Sequence, residues 1–405
     1  MAKPKTANQT LVREMNASIV MDCIRLYAPL SRADLAARTG LMRSTISLIV
    51  DELIGHSFVR EIHRQGSKVG RPGTLLEVNP NAGFAVGLEV GVDFLAVIVT
   101  NFVGEILWRR TQATPESQHQ IAKLEQVEQV IAEALEAGKS LGLRPLGIGV
   151  GVPGLVDAEQ GKLVFAPNLH WMDVPLRLIW TRRFGLPVFV ENEANCACLG
   201  EYFYGNARNI ENFIFLKTGV GLGGGVMIDG KLFRGANGYG GEIGHMALYK
   251  GGELCACGRH GCWETYVRPS NLYRDIILRL KDGNKSMIAD LVGGDLYKIT
   301  MDEVIEAAQQ GDAVVLSVLE DYARHLAFGI CNLINIFNPE LVILGGTLSG
   351  AGQWLVPAIN ASMQQNVMPP LRNITRIEVS ARGEDACLLG AIALVLDDIL
   401  REPLG

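Results

Sequence analysis

Apolar residues at Leu11, Met15, Ile19, Cys23 and Leu26 fall three or four positions apart and stop short of Pro29, which predicts a helix ending there. Ser31 is placed to cap a short helix running to Arg38, Thr39-Gly40-Leu41 to make a tight turn, and residues 42–54 to form a third helix with Ile46, Ile49, Val50 and Leu53 inward. Two strands follow, 58–62 and 74–78, joined by a loop at 63–73. Three helices and a two-stranded ribbon form the pattern of a winged helix-turn-helix. From Gly83 the chain changes to Gly-rich apolar runs alternating with helical stretches. Residues 83–108 read as three strands with turns near Val90-Gly91 and at 101–104, and residues 212–233 read the same way with Asp229-Gly230 as a hairpin signal. Helix and strand then alternate after each triplet: 118–141, 146–152 and 188–191 in one half, 301–337, 341–344 and 377–380 in the other. Two similar halves predict an α/β protein with two lobes and a cleft between them.

Composition adds scale. At 405 residues, 48% hydrophobic and 20% charged, the chain has room for two or three domains and no signature of wholesale disorder. No apolar run is long and uncharged enough to span a bilayer, and no signal peptide is visible, so a cytoplasmic protein with no membrane partner is expected. The net charge of -6 would argue against nucleic acid if it were spread evenly, but residues 1–80 carry 11 Lys and Arg against 7 Asp and Glu, leaving net -10 on the rest. The basic head is therefore the expected DNA-binding part. Arg43, Ser44, Thr45 and Ser47 lie outward at the start of the third helix, a donor-rich set suited to base edges and phosphates. In the loop, Lys68 and the narrow Gly70-Arg71-Pro72-Gly73 turn would let Arg71 enter an A·T-rich minor groove.

Of eight cysteines, three bunch together as Cys255-x-Cys257-x4-Cys262. Three thiolates with one imidazole make a closed tetrahedral site, structural because no coordination position stays open, so zinc is the expected cofactor. His245, ten residues upstream of Cys255, and His260, inside the loop, compete for the fourth position on spacing alone.

The glycine-rich stretch 219–264, taken with Glu191-Asn192-Glu193-Ala194-Asn195, resembles the ROK family of bacterial sugar kinases and sugar-responsive repressors over roughly residues 80–400. With the winged helix in front, the resemblance is to its repressors, which answer to xylose, glucose or N-acetylglucosamine. It implies an actin-like, hexokinase-like (ribonuclease H-like) fold for residues 81–405, following a DNA-binding domain at 1–80. Lobe one would comprise about 81–200 plus the C-terminal helix, and lobe two about 201–385. It favours His245 as the fourth metal ligand, and it places Asn192, Glu193, Glu242, His245 and Glu264 in the sugar pocket with Gly154 and Asn168 beside it. His245 would bind zinc through one ring nitrogen and face the sugar with the other.

Departures from the family's kinases fall on the phosphate side. Where the kinases carry an Asp base this chain has Glu193, one methylene longer, which makes Glu193 a non-catalytic residue on this reading. Their first phosphate loop reads Asp-x-Gly-Gly-Thr; here the positions are Glu89-Val90-Gly91-Val92-Asp93, with a carboxylate where phosphate would sit. The second loop, 219–225, keeps its glycines but has Val220 in place of a Thr hydroxyl. The expected function is thus a sugar-responsive repressor of carbohydrate genes and not an enzyme. It would act as a homodimer or tetramer on a palindromic operator with A·T-rich flanks. An ATP-dependent sugar kinase with an accessory DNA-binding head is the alternative, and a sensor of a protein or phosphosugar with a vestigial pocket is a third reading.

Overall fold

The computed structural model describes residues 9–63, 74–114 and 119–404. The head consists of helices α1 (Gln9–Tyr27), α2 (Arg32–Thr39) and α3 (Arg43–Gly55) followed by an antiparallel hairpin, β1 (Val59–His63) and β2 (Thr74–Val78). Ser31 caps α2 in a reciprocal box: its side chain accepts from the Asp34 N–H, and the Asp34 carboxylate accepts from the Ser31 N–H at 2.9 Å. Gly40, left-handed at φ 72, closes the helix and sets the turn into α3. Ile46, Ile49, Val50 and Leu53 are buried as expected. The stripe that announced α1 is not its packed face. Met15, Ile19 and Leu26 are exposed; of the stripe only Cys23 is buried, and α1 packs through it together with Ala17, Val20, Met21 and Ile24 on an adjoining face.

The body repeats one topology. In the first sheet, β3 (Phe84–Val90), β4 (Phe94–Asn101) and β5 (Ile106–Ala113) form an antiparallel meander. After α4 (Gln120–Ser140), β6 (Pro145–Val152) pairs parallel with β3. A small sheet of β7 (Leu155–Asp157), β8 (Lys162–Ala166) and β9 (Trp171–Val174), absent from the sequence reading, leads to α5 (Leu176–Phe184). Next come β10 (Val188–Asn192), parallel to β6, and α6 (Glu193–Tyr204).

The second sheet starts with β11 (Phe213–Thr218), β12 (Leu222–Ile228) and β13 (Lys231–Leu232). The helices α7 (Glu264–Val267), α8 (Pro269–Lys281), α9 (Ile288–Leu291), α10 (Met301–Gln309) and α11 (Ala313–Phe337) intervene before β14 (Leu341–Gly346). The chain finishes with α12 (Gly352–Asn366), β15 (Arg376–Val379) and α13 (Asp385–Arg401). The two sheets run β5-β4-β3-β6-β10 and β13-β12-β11-β14-β15, so strands appear in the same spatial order in both halves. The stretch expected as one helix at 301–337 is two, because Gly311 takes φ +79 and Asp312 caps α11 by accepting from the Val314 and Val315 N–H groups.

Helices α6 and α13 lie against each other between the sheets, α13 on β3 and β6, α6 on β11 and β12. Along its length, from Leu388 through Ile392 and Leu396 to Leu400, α13 contributes to a core shared with α1, α2 and α3. Head and body are therefore joined by continuous apolar packing, and one helix reaches from the cleft to the head.

Candidate functional site

The cleft between the sheets is built from strand ends and the start of α6. Asn192 is the α6 N-cap: its side-chain oxygen accepts from the Ala194 N–H at 2.8 Å and the Asn195 N–H at 3.2 Å, while its amide donates to the Gly154 carbonyl at 2.9 Å. Its polar atoms thus tie the Gly154 turn to the helix. Gly154 itself, at φ +99, leaves no room for a side chain beside the Phe165 carbonyl. Asn168 stands exposed on a short turn next to that sheet.

On the opposite wall, Glu242, His245 and Glu264 converge. His245 Nδ1 lies 3.6 Å from Cys255 Sγ and 3.5 Å from Glu264 Oε1, and its Nε2 turns toward Glu242, 4.0 Å away. The Cys255 thiol donates to Glu264 at 2.7 Å, and Cys257 and Cys262 sulfurs are 3.7 Å apart. Ligand atoms of His245, Cys255, Cys257 and Cys262 all lie within 4.8 Å of one another. Zn–S bonds of about 2.3 Å and Zn–N bonds of about 2.0 Å at tetrahedral angles require S···S and S···N separations of about 3.8 and 3.5 Å, so this donor set fits one ion in a closed shell. His260 is outside the cluster; it is exposed, with Nδ1 3.0 Å from the Gly252 carbonyl oxygen. The fold puts His245, and not His260, beside the three thiols: residues 243–245 lie against β12, where Gly224 makes room for the Ile243 side chain and Gly244 for the Leu222 carbonyl.

At the first loop and the start of α6 the protein's own charges pair with one another. Glu193 accepts from Lys217 Nζ at 3.2 Å, and the same ammonium donates to Glu89, whose carboxylate is almost wholly buried. Burial pushes the Glu89 carboxyl up and the Glu193 charge adds to that, against a downward pull from Lys217. Burial by itself would lower Lys217, but Glu193 and Glu89 outweigh it and hold the ammonium well above its ordinary range. Beneath the first loop, the buried Lys123 donates to the carbonyls of Gly91 and Val92 at 2.8 and 2.6 Å. In the second loop, a Cβ on Gly221 would strike Glu264, on Gly224 Ile243, and on Gly225 Cys198, so these glycines serve close packing. Arg234 binds the buried Glu191 at 2.7 Å, a second link between the lobes.

Sequence reasoning missed Lys217, Lys123 and Arg234. Two carried a signal: Lys217 is the only charge in the strand Phe213–Thr218, and Lys123 shares the inward face of α4 with Val127, Val130 and Ala134. At the head, Arg43 and Ser44 are exposed and Thr45 and Ser47 half-buried at the start of α3. Lys68 and Arg71 lie outside the described residues.

Residues 85–398 match the model of the ROK family. The chain is 35% identical over 400 residues to the xylose repressor of Caldicellulosiruptor bescii, covering 98% of this chain and 99% of that protein. Its fold resembles that of a ROK family transcriptional regulator described as a homolog of the Escherichia coli MLC protein, with a TM-score of 0.84, 26% identity, and coverage of 97% and 98%. It also resembles the ROK family glucokinase of Streptomyces griseus, solved with glucose and AMPPNP, with a TM-score of 0.70 and 33% identity over 77% of this chain and 99% of that one. By its duplicated sheets, its Cys/His cluster and these matches, the chain belongs to the ROK family.

Proposed function

We propose that this protein is a sugar-responsive transcriptional repressor: the first eighty residues bind DNA, and the two-lobed remainder reads a free sugar. One observation carries the reading. Glu242, His245 and Glu264 converge as a set of sugar-type acceptors, while the lysines near the first glycine loop are already engaged, Lys217 by Glu89 and Glu193 and Lys123 by the Gly91 and Val92 carbonyls. Carboxylates and imidazole nitrogens pair well with vicinal hydroxyls. A triphosphate facing Glu89, Glu193 and Asp93, with both nearby lysines already engaged, meets net repulsion.

Zinc at His245, Cys255, Cys257 and Cys262 would be structural, holding the His245 ring so that Nε2 faces the cleft. In the head, Arg43, Ser44, Thr45 and Ser47 would meet the major groove, and Lys68 and Arg71 the flanking minor groove. A dimer is the simplest assembly for a two-fold operator. Sugar can change operator affinity only through a difference in its own affinity for the two states of the protein, and α13, packed on the cleft at one end and the head at the other, supports that coupling.

A gel-shift on the protein's own upstream DNA, titrated with D-xylose, D-glucose and N-acetylglucosamine, is expected to show retention that one sugar alters by tenfold or more. D-xylose is the first choice because a relative is a xylose repressor. DNA left unretained at every sugar concentration would sink the proposal. The kinase alternative, supported by the likeness to a glucokinase, has its own readout: phosphorylation of these sugars with ATP is expected to stay at the no-enzyme background, and activity abolished by Glu193→Gln would establish it instead.

A further inference from the structure

Lys217 connects three parts of the molecule. It sits on β11 in the second sheet and holds Glu89 on β3 of the first sheet together with Glu193 at the start of α6. Its ladder partners on either side, Gly223 on β12 and Gly345 on β14, have no side chains, so the lysine rises from a lane of glycines and can extend across the cleft. Glu89 is only 4% exposed and Lys217 18%, whereas Glu193 at 27% keeps an edge toward solvent. Separating the lobes would leave Glu89 buried without its partner, the most costly way to break an ion pair. Drawing Glu193 toward a sugar hydroxyl would instead weaken only the more open arm of the bridge.

We propose that Lys217 is a positioning residue of the sugar site, holding Glu193 for the sugar and latching the two lobes together through Glu89, so that effector binding is read as a change in this bridge. This rests on the sensor reading above and deepens it. The latch is internal to the chain and requires no nucleotide or metal. Its cation is already held by two carboxyl groups, so the bridge offers no free positive charge to a phosphosugar and suits a neutral polyol.

The test uses the full-length protein and two variants, Lys217→Met and the neutral pair Lys217→Met/Glu89→Gln; the pair removes the unpartnered buried carboxylate that could unfold the single variant. Hydrogen exchange without sugar is expected to rise at least tenfold in segments 89–93 and 217–222 of the paired variant, at a melting temperature within a few degrees of the parent. Titration with the sugar that shifts the parent's operator affinity is expected to show about tenfold weaker sugar binding and an operator response reduced to under threefold. Unchanged exchange in both segments would overturn the latch whatever the sugar does. An operator response kept within twofold of the parent's would overturn the coupling. If the parent itself answers to no sugar, the sensor reading fails, while the exchange result still decides whether Lys217 holds the lobes.

Discussion

Cys262→Ser is expected to purify with less than a tenth of an equivalent of metal, against about one in the parent, and to bind sugar at least 100-fold more weakly. The cysteine is fully buried and belongs to the loop that carries the cleft wall. Its backbone carbonyl accepts from the Thr265 hydroxyl at 2.7 Å, its residue bridges to Ala247, and the next residue, Trp263, donates its N–H to Met246. His245 and Glu264 flank this knot on either side. Removing one of four ligands from a closed structural site costs most of the metal affinity, because the remaining donors cannot order the loop alone. Without that order, His245 and Glu264 lose the orientation that polar recognition of hydroxyls demands, an effect of 10–100-fold even where only an outer partner of a ligand is removed. His260→Ala is the control and is expected to retain full metal, since His260 points to the Gly252 carbonyl and not to the cluster. Metal content by elemental analysis and sugar affinity by calorimetry check both. Metal-free protein that binds sugar within threefold of the parent would separate the pocket from the metal.

How far the residues foretold this arrangement depends on the range of the contacts. Four of the six strands in the two triplets were legible as apolar runs broken by turn glycines, whereas the third strand of the first triplet, read as ending at 108, runs to Ala113 through the polar Arg109–Gln112 stretch; the head helices were legible because caps such as Ser31 and Gly40 act within four residues. The cysteine cluster was legible from spacing, but which histidine lies beside it was not: His245, further away in sequence than His260, is the one the fold brings to the thiols. The stripe that marked α1 as a helix did not reveal its packed face: Met15, Ile19 and Leu26 are exposed, while Ala17, Val20, Met21 and Ile24 are buried. Lys217 joins residues 128 positions apart at Glu89 and 24 at Glu193. Neither separation has a local signature; only the out-of-place charge in an apolar strand marked it. The glycines of 219–225, which resemble a phosphate loop, illustrate the converse: their local pattern was clear, yet Glu264, Ile243 and Cys198 are what they make room for.

Replacing Gly390 by alanine is expected to destabilise the protein by about 3 kcal/mol or more and to lower the melting temperature by about 4 °C or more. Intrinsic propensity predicts the opposite sign, because alanine in a helix interior is favoured over glycine by about 1 kcal/mol. Packing decides. A Cβ on Gly390 would stand 1.6 Å from the Cys196 carbonyl oxygen of α6, and at the same crossing a Cβ on Gly200 would stand 2.0 Å from the Ala386 oxygen. Both obstacles are backbone, so no rotamer change relieves them, and the two helices must part by more than 1 Å over a buried interface. That interface joins the sheets, and α13 goes on to supply Leu396 and Leu400 to the core beneath α1. The damage should therefore appear in function as well: surviving Gly390→Ala protein is expected to bind operator yet respond to sugar less than threefold. Gly55→Ala, at the end of α3 with open space around its Cβ, is expected to be neutral or stabilising by up to about 1 kcal/mol. Thermal denaturation of the two variants side by side separates propensity from packing, and a stabilised Gly390→Ala would refute the backbone contact between α6 and α13 on which the coupling of cleft to head depends.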